Sequence, residues 1–237
     1  MSDDDSLKCF VSHKCGEEAH ALMARLSTAL SRVQVTLLQD PFEPGHEIVT
    51  RIHTVAFHSF VFLSSPESWA SNVCQEELSI ARTRFIPVLT ARLSGDLPNE
   101  LKDRLYANLR GLTGAALEEA LSSLAVIVSV RARLYDKIMT LAPQNNPEET
   151  TKAAQSIVDD VDPTLIAESL DHIASFYDPD ANPTTRFWLA LAVGKAGTCR
   201  AKELLKRFSW ENHPYPREGI RQANEMLGQL RCKEAIL

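Results

Sequence analysis

"SFVFLSSPESWASNVCQEELSIARTRFIPVL" occupies Ser59 to Leu89 and contains three segments of two kinds. Ser59–Ser65 is a short apolar run with β-leaning residues, the pattern of a buried strand. Ser71–Arg84 has helical spacing. "FIPVL", Phe85–Leu89, reads as another strand. A short, near-continuous apolar strand followed by a helix and a second such strand implies a parallel sheet covered on both faces.

The same alternation extends upstream. "KCFVSH", Lys8–His13, reads as a first strand. Gly16, Glu17 and Glu18 follow, and acids suit a helix N-terminus because they complement its dipole. Leu22, Leu26, Ala29, Leu30 and Val33 recur at helical spacing, which predicts an amphipathic helix over Glu17–Arg32. "VQVTLL", Val33–Leu38, reads as a strand. "QDPFEPGHE", Gln39–Glu47, carries two prolines and a glycine and reads as a loop. Ile48–His58 is expected to be helical, with Ile48, Ile52, Val55 and Ala56 inward. The order is β-α-β-α-β-α-β. Ligands of such sheets bind outside the carboxyl ends of the strands, at the loops Ser12–Gly16, Gln39–Glu47 and Ser64–Ser71.

From about Gly114 the strand pattern ends. Ala115–Leu141 reads as one or two helices, and "APQNNPEETT", Ala142–Thr151, as a loop. "RFWLALAVGKAG" (Arg186–Gly197) resembles "RQANEMLGQL" (Arg221–Leu230), and the spacing of Gly194 and Gly228 matches that of helical-hairpin repeats. "AKELLKRF" (Ala201–Phe208) is read as a second helix of a pair, and "PTLIAESLDHIASF" (Pro163–Phe176) as a partial unit. The reading is an α-hairpin, HEAT-like stack. Trp188, Leu189 and Leu191 are assigned to its core. "WENHPYPREG" (Trp210–Gly219) is assigned to a structured loop, with ligand contact as the alternative.

The chain has 237 residues and a net charge of −6. That balance gives no support to a general affinity for nucleic acid, which needs a basic face. The N-terminus, MSDDDSLK, has no cationic and apolar leader pattern. Apolar runs such as Leu124–Val130, interrupted by Ser129, are too short to span a bilayer. Cys9, Cys15, Cys74, Cys199 and Cys232 are odd in number and lack C-x-x-C pairing, which points to free thiols and a cytoplasmic location. His13, His46, His53 and His58 are scattered, so neither a metal site nor a hydrolase triad is expected.

Four segments in order resemble a TIR domain over Leu7–Val130: "CFVSHK", "LLQDPFEPGHEI", "FVFLSSPESWASNVCQEEL" and "FIPVL". The resemblance implies a flavodoxin-like parallel-sheet TIR domain, taken as residues 1–132, before an all-α helical-hairpin domain, 133–237. Many TIR domains cleave NAD+ at the nicotinamide–ribose bond with a Glu in a Ser-x-Trp-Cys-x-x-Glu-Leu pattern. Ser71, Cys74, Glu77 and Leu78 match that pattern, so the resemblance makes Glu77 the catalytic candidate rather than Glu76. The Trp position is Val73 here, and Trp69 lies four residues earlier. Breaking the bond to a cationic nicotinamide leaves an oxocarbenium-like ribose, which one carboxylate can stabilise or attack. The bland reading of Glu77 is a solvated residue favoured by the helix dipole.

Ser12, His13 and Lys14, at a strand end, offer backbone N–H groups and a cation to a diphosphate; the alternative is an ordinary βα turn. Asp40 and Phe42 lie in the segment that resembles the family's BB loop, expected to close over ligand or dock on a neighbouring subunit. Ser65, Trp69, Ser71 and Cys74 complete the candidate binding set. NAD+ enters as substrate, with no cofactor. The resemblance implies an NAD+-consuming effector or signal generator of the immune or antiphage-defence type, activated by self-association. The helical part would sense an activating ligand or protein. No nucleic-acid or membrane partner is expected. Two alternatives stand beside this: a non-catalytic adaptor acting through the BB loop, and a nucleoside deoxyribosyltransferase-like enzyme.

Overall fold

A computed structural model describes residues 6–14, 17–38, 55–102 and 105–229. The chain divides into two compact units, Met1–Tyr135 and Asp136–Leu237.

The first unit is built on a five-stranded sheet in which every pairing is parallel. Its strands are β1 (Leu7–Ser12), β2 (Val35–Leu38), β3 (Ser59–Ser64), β4 (Val88–Arg92) and β5 (Leu105–Asn108), in the order β2-β1-β3-β4-β5. This is the doubly wound, flavodoxin-like order, and its direction of winding reverses between β1 and β3. Helices α1 (Glu17–Arg32), α2 (Pro66–Ala70), α3 (Asn72–Thr83), α4 (Asn99–Lys102) and α5 (Gly114–Met139) accompany it. The boundary between the units falls within α5.

Side chains alternate across a strand, and the two faces carry separate cores. Cys9, Val11, Val61, Leu63, Leu89 and Ala91 pack with Leu26 and Leu30 of α1 and Leu121 and Leu124 of α5. Phe60, Phe62 and Val88 pack on the opposite face with Cys74, Leu78 and Ala81 of α3 and Leu101 of α4. β3 is buried along its whole length, as a central strand covered on both faces must be.

Several boundaries differ from the sequence-based expectation. The fourth strand begins at Val88 rather than Phe85 and continues to Arg92. Phe85 takes a left-handed φ of 55° and sits outside the sheet, with the Ile86 N–H bonding back to the Ala81 carbonyl at 2.9 Å. The Pro87 carbonyl then accepts from Phe60 N, and the strand starts one residue later. β2 starts at Val35, after Gln34 turns the chain with a left-handed φ of 62°. β5 was not expected. The helix expected over Ile48–His58 falls largely outside the described residues, but residues 55–58 are not helical. His58 instead pairs with Lys8: its N–H donates to the Lys8 carbonyl (2.8 Å) and its ring accepts the Lys8 N–H (3.0 Å). That extended pairing leads the chain into β3. The loop expected over Ser64–Ser71 contains α2, so Trp69 is helical.

The second unit is helical. After the end of α5 come α6 (Pro147–Asp160), α7 (Pro163–Glu168), α8 (Leu170–Ser175), α9 (Pro183–Lys195), α10 (Cys199–Arg207) and α11 (Pro214–Gln229). Three of them start with Asn/Asp–Pro. Asn146, Asp162 and Asn182 each accept a backbone N–H at 2.8 Å, while proline presets φ at a position whose N–H has no helical partner. This corrects the expected loop Ala142–Thr151, because α6 begins inside it at Pro147. Helix α9 is buried on nearly every side and packs on α6, α8, α10 and α11. Gly194 is the reason it meets α11 closely: an added Cβ would lie 2.6 Å from the Cβ of Ala223. Gly228, by contrast, faces open space, so the two glycines that suggested a repeat play different parts.

Candidate functional site

Helix α3 presents Cys74, Glu77, Leu78, Ile80 and Ala81 inward, positions spaced for one face. Glu77 is therefore part of the buried face, at 4% exposure, while Glu76 is exposed. Ser71 caps the helix, its side chain accepting from Cys74 N at 3.5 Å. The cap sets the rotation of the first turn and so helps to turn Glu77 toward the sheet.

The strand opposite supplies Ser12, the last residue of β1. Ser12 is in register with Phe62 of β3, and Phe62 with Thr90 of β4. Register partners point to one face, here the face that α3 covers. Ser12 Oγ and Thr90 Oγ1 are both buried and, among the described residues, make no hydrogen bond of ordinary geometry. A buried hydroxyl without a partner costs about 1–3 kcal/mol. The thiol of Cys74 lies close enough to Ser12 to be influenced by it: burial raises the thiol above its usual range, the Ser71 and Ser12 hydroxyls pull it down, Glu77 raises it and Lys14 lowers it. Ser12, Lys14, Ser71, Cys74 and Glu77 thus come together at the carboxyl edge, beside the switch between β1 and β3.

His13 is half-buried, and burial holds its ring below the usual imidazole range. Its Nδ1 lies 3.2 Å from the Lys14 carbonyl. Lys14 is exposed. Trp69 is half-buried, edge-on to Phe62 at 6.3 Å, and its carbonyl accepts from Gln75 Nε2 at 2.9 Å. Val73, where the resemblance would have a Trp, is 40% exposed on the outer side of α3. Ser65 is committed to capping α2: its Oγ accepts from Ser68 N, and its own N–H donates to Ser68 Oγ. Asp40 and Phe42 lie outside the described residues, as does the whole Gln39–Glu47 segment.

Two residues at this edge escaped the sequence reading, Thr90 and Arg92. With the fourth strand expected to end at Leu89, both were placed beyond the sheet. The signal available was the alternation Val88-Leu89-Thr90-Ala91, which continues the apolar pattern past the proline.

A surface groove bordered by Arg32, Gln34, Val126 and Arg133 lies at the amino edge of the sheet, away from Glu77. Among the described residues no cluster of His, Cys, Asp and Glu could hold a metal, and no helix is long and apolar enough to cross a membrane.

Residues 9–124 match the family model of the TIR domain. No curated protein and no solved structure shows significant similarity to the chain. The matched segment runs from within β1 through β5 to the beginning of α5, which supports a TIR domain over residues 9–124.

Proposed function

We propose, from the TIR domain that residues 9–124 form, that this protein cleaves NAD+ at its nicotinamide–ribose bond, with Glu77 as the catalytic carboxylate. The observation that carries the reading is the burial of Glu77 on the inward face of α3, beside Ser12 and Cys74 at the carboxyl edge of the sheet. A glutamate retained only for the helix dipole gains nothing from being placed there.

Nicotinamide leaves as a neutral molecule, so departure needs no general acid. The ribose left behind carries oxocarbenium character. A buried carboxylate stabilises that charge strongly because the surroundings screen it little, or it attacks the sugar carbon and is later displaced by water. Ser12, whose hydroxyl makes no hydrogen bond of ordinary geometry among the described residues, is suited to a ribose oxygen or to an oxygen of Glu77. Lys14 is suited to the diphosphate.

We assign signalling to this chemistry: consumption of NAD+, or release of an ADP-ribose product, hydrolysed or cyclised. Self-association of TIR domains would switch it on, and the helical unit would sense the input or drive assembly.

The test is nicotinamide release by concentrated protein, with and without a crowding agent. Wild type is expected to release it, and Glu77→Gln to lose the activity while keeping its melting temperature. Release by the variant at the wild-type rate would refute the assignment. A second reading is favoured by Val73, exposed where catalytic relatives of this pattern carry Trp: a TIR adaptor that recruits partners without chemistry. Absence of nicotinamide under every assembly condition would select it.

A further inference from the structure

We infer that Arg92 is the anion-recognising residue of this site, taking a phosphate of a dinucleotide substrate in exchange for Asp96; the inference rests on the NAD+ reading above. Arg92 is the last residue of β4 and is in register with Ser64, the last residue of β3. It follows Thr90 by two positions, so it belongs to the face that carries Ser12, Phe62 and Thr90 and that α3 covers with Glu77. Strands lie about 4.8 Å apart, which sets β4 about 10 Å from β1. That offset suits a ligand whose ribose sits at Ser12 and Glu77 and whose diphosphate runs across the strand ends.

The side chain is held ready. Its Nε donates to the Gly95 carbonyl at 2.6 Å and its Nη2 to Asp96 Oδ1 at 3.0 Å. No described residue hydrogen-bonds its Nη1. The turn that supplies these contacts is itself fixed. Leu93 N donates to the Ser64 carbonyl, and Gly95 has a φ of 66° with Pro66 so close that an added Cβ would lie 2.6 Å from the ring. Pro66 begins α2, which carries Trp69. The Arg92 side chain is 19% exposed, whereas that of Asp96 is fully exposed.

An ion pair with a fully solvated carboxylate contributes little, because water screens it and the carboxylate pays entropy to stay. A diphosphate offers the same guanidinium two oxygens in the planar, bidentate geometry it prefers. Asp96 thus occupies the place of a phosphate and is cheap to displace. In a chain of net charge −6, an anionic ligand needs such a local cation, and Lys14 at the end of β1 is a second one.

The experiment uses the full chain carrying Glu77→Gln, so that ligand is not consumed, and measures binding of ADP-ribose and of nicotinamide riboside by calorimetry. Adding Arg92→Gln is expected to weaken ADP-ribose by about 10-fold or more, as losing charged hydrogen bonds does. Nicotinamide riboside, which has no phosphate, should change by less than about twofold on the same scale. Adding Asp96→Asn instead should tighten ADP-ribose by about threefold at low salt, the scale of a solvated ion pair. Were Arg92 only a brace for the 93–96 turn, Asp96→Asn would leave binding unchanged or weaken it. That outcome, or an Arg92→Gln affinity within twofold of its parent, overturns the inference and leaves Glu77 untouched. If the folded Glu77→Gln protein binds neither ligand, the NAD+ reading itself falls, and Arg92 falls with it.

Discussion

Each unit of this protein buries a glutamate, and the two are buried differently. Glu211 of the helical unit is 5% exposed. One of its oxygens accepts from Arg186 at 3.1 Å and from the Tyr177 hydroxyl at 3.2 Å, and the other accepts the His213 N–H at 2.8 Å. The residue ties the segment after α10 to the middle of the unit, with Tyr177 stacked on Phe208 at 3.8 Å. The carboxylate pushes the Tyr177 phenol further up than burial alone does. Glu77 is as deeply buried, but it stands at the carboxyl edge of a doubly wound sheet. Its neighbours there include the Ser12 hydroxyl, which makes no hydrogen bond of ordinary geometry among the described residues, and a thiol whose ionisation it opposes. Burial of a carboxylate is therefore not in itself a mark of function. Its position relative to the strand ends decides whether the polar surroundings serve the fold or a ligand.

The comparison breaks most sharply at the two glutamates themselves. Glu77→Gln is expected to lower nicotinamide release by three orders of magnitude or so, the scale of a lost charge-stabilising group, with unchanged stability. Glu211→Ala should do the reverse. Removing one partner of a buried pair typically costs about 3–5 kcal/mol, so chemical denaturation should show a large loss of stability. If Glu211→Ala unfolded as wild type does, the Arg186 pair would not be holding the segment. Next in size is Gly194→Ala. The new Cβ meets the Cβ and backbone of Ala223, and overpacking of this kind costs roughly 1–3 kcal/mol. Gly228→Ala, in open space within a helix, should be neutral or stabilising by up to about 1 kcal/mol. Equal effects at the two glycines would restore the equivalence that the repeat pattern suggested.

The smallest expected effect is on pH. Burial holds both His13 and His172 below the ordinary imidazole value of 6.5. For such groups the unfolded chain takes up the proton first. Their stabilising contribution is complete above pH 6.5 and is lost as pH falls through that value toward the folded-state pKa. Denaturation midpoints at pH 7 and pH 5.5 should differ less in His172→Asn than in wild type. A difference as large as that of wild type would show that His172 does not contribute to the acid sensitivity.

Legibility differed between elements for physical reasons. Helix α1 was read to the residue because Leu22, Leu26 and Leu30 repeat on one stripe and acids open it. β3 was read to within one residue because a central strand of a parallel sheet is continuously apolar. β5, "LYAN", is four residues at the sheet edge, too short for a period of two to register. β4 was displaced by three residues because Phe85 looked like a strand residue, whereas its left-handed backbone ends the preceding turn. That displacement hid Thr90 and Arg92 from the reading of the edge. The start of α6 is hidden in the sequence because proline commonly marks a loop, although after Asn it marks the first turn of a helix.

Strands β1 to β4 and helices α1 and α3 of the first unit, the helical character of the second and the placement of Glu77 within its motif were written in the chain itself, because local periodicity specifies which face of each element is apolar. The neighbours of Glu77 were not. That β1 lies beside β3, that Ser12, Phe62 and Thr90 share one line across the sheet, and that the Cys74 thiol stands near both Ser12 and Glu77 depend on pairings between residues far apart in sequence. Those pairings are selected by packing of whole faces, and no local pattern of residues encodes them.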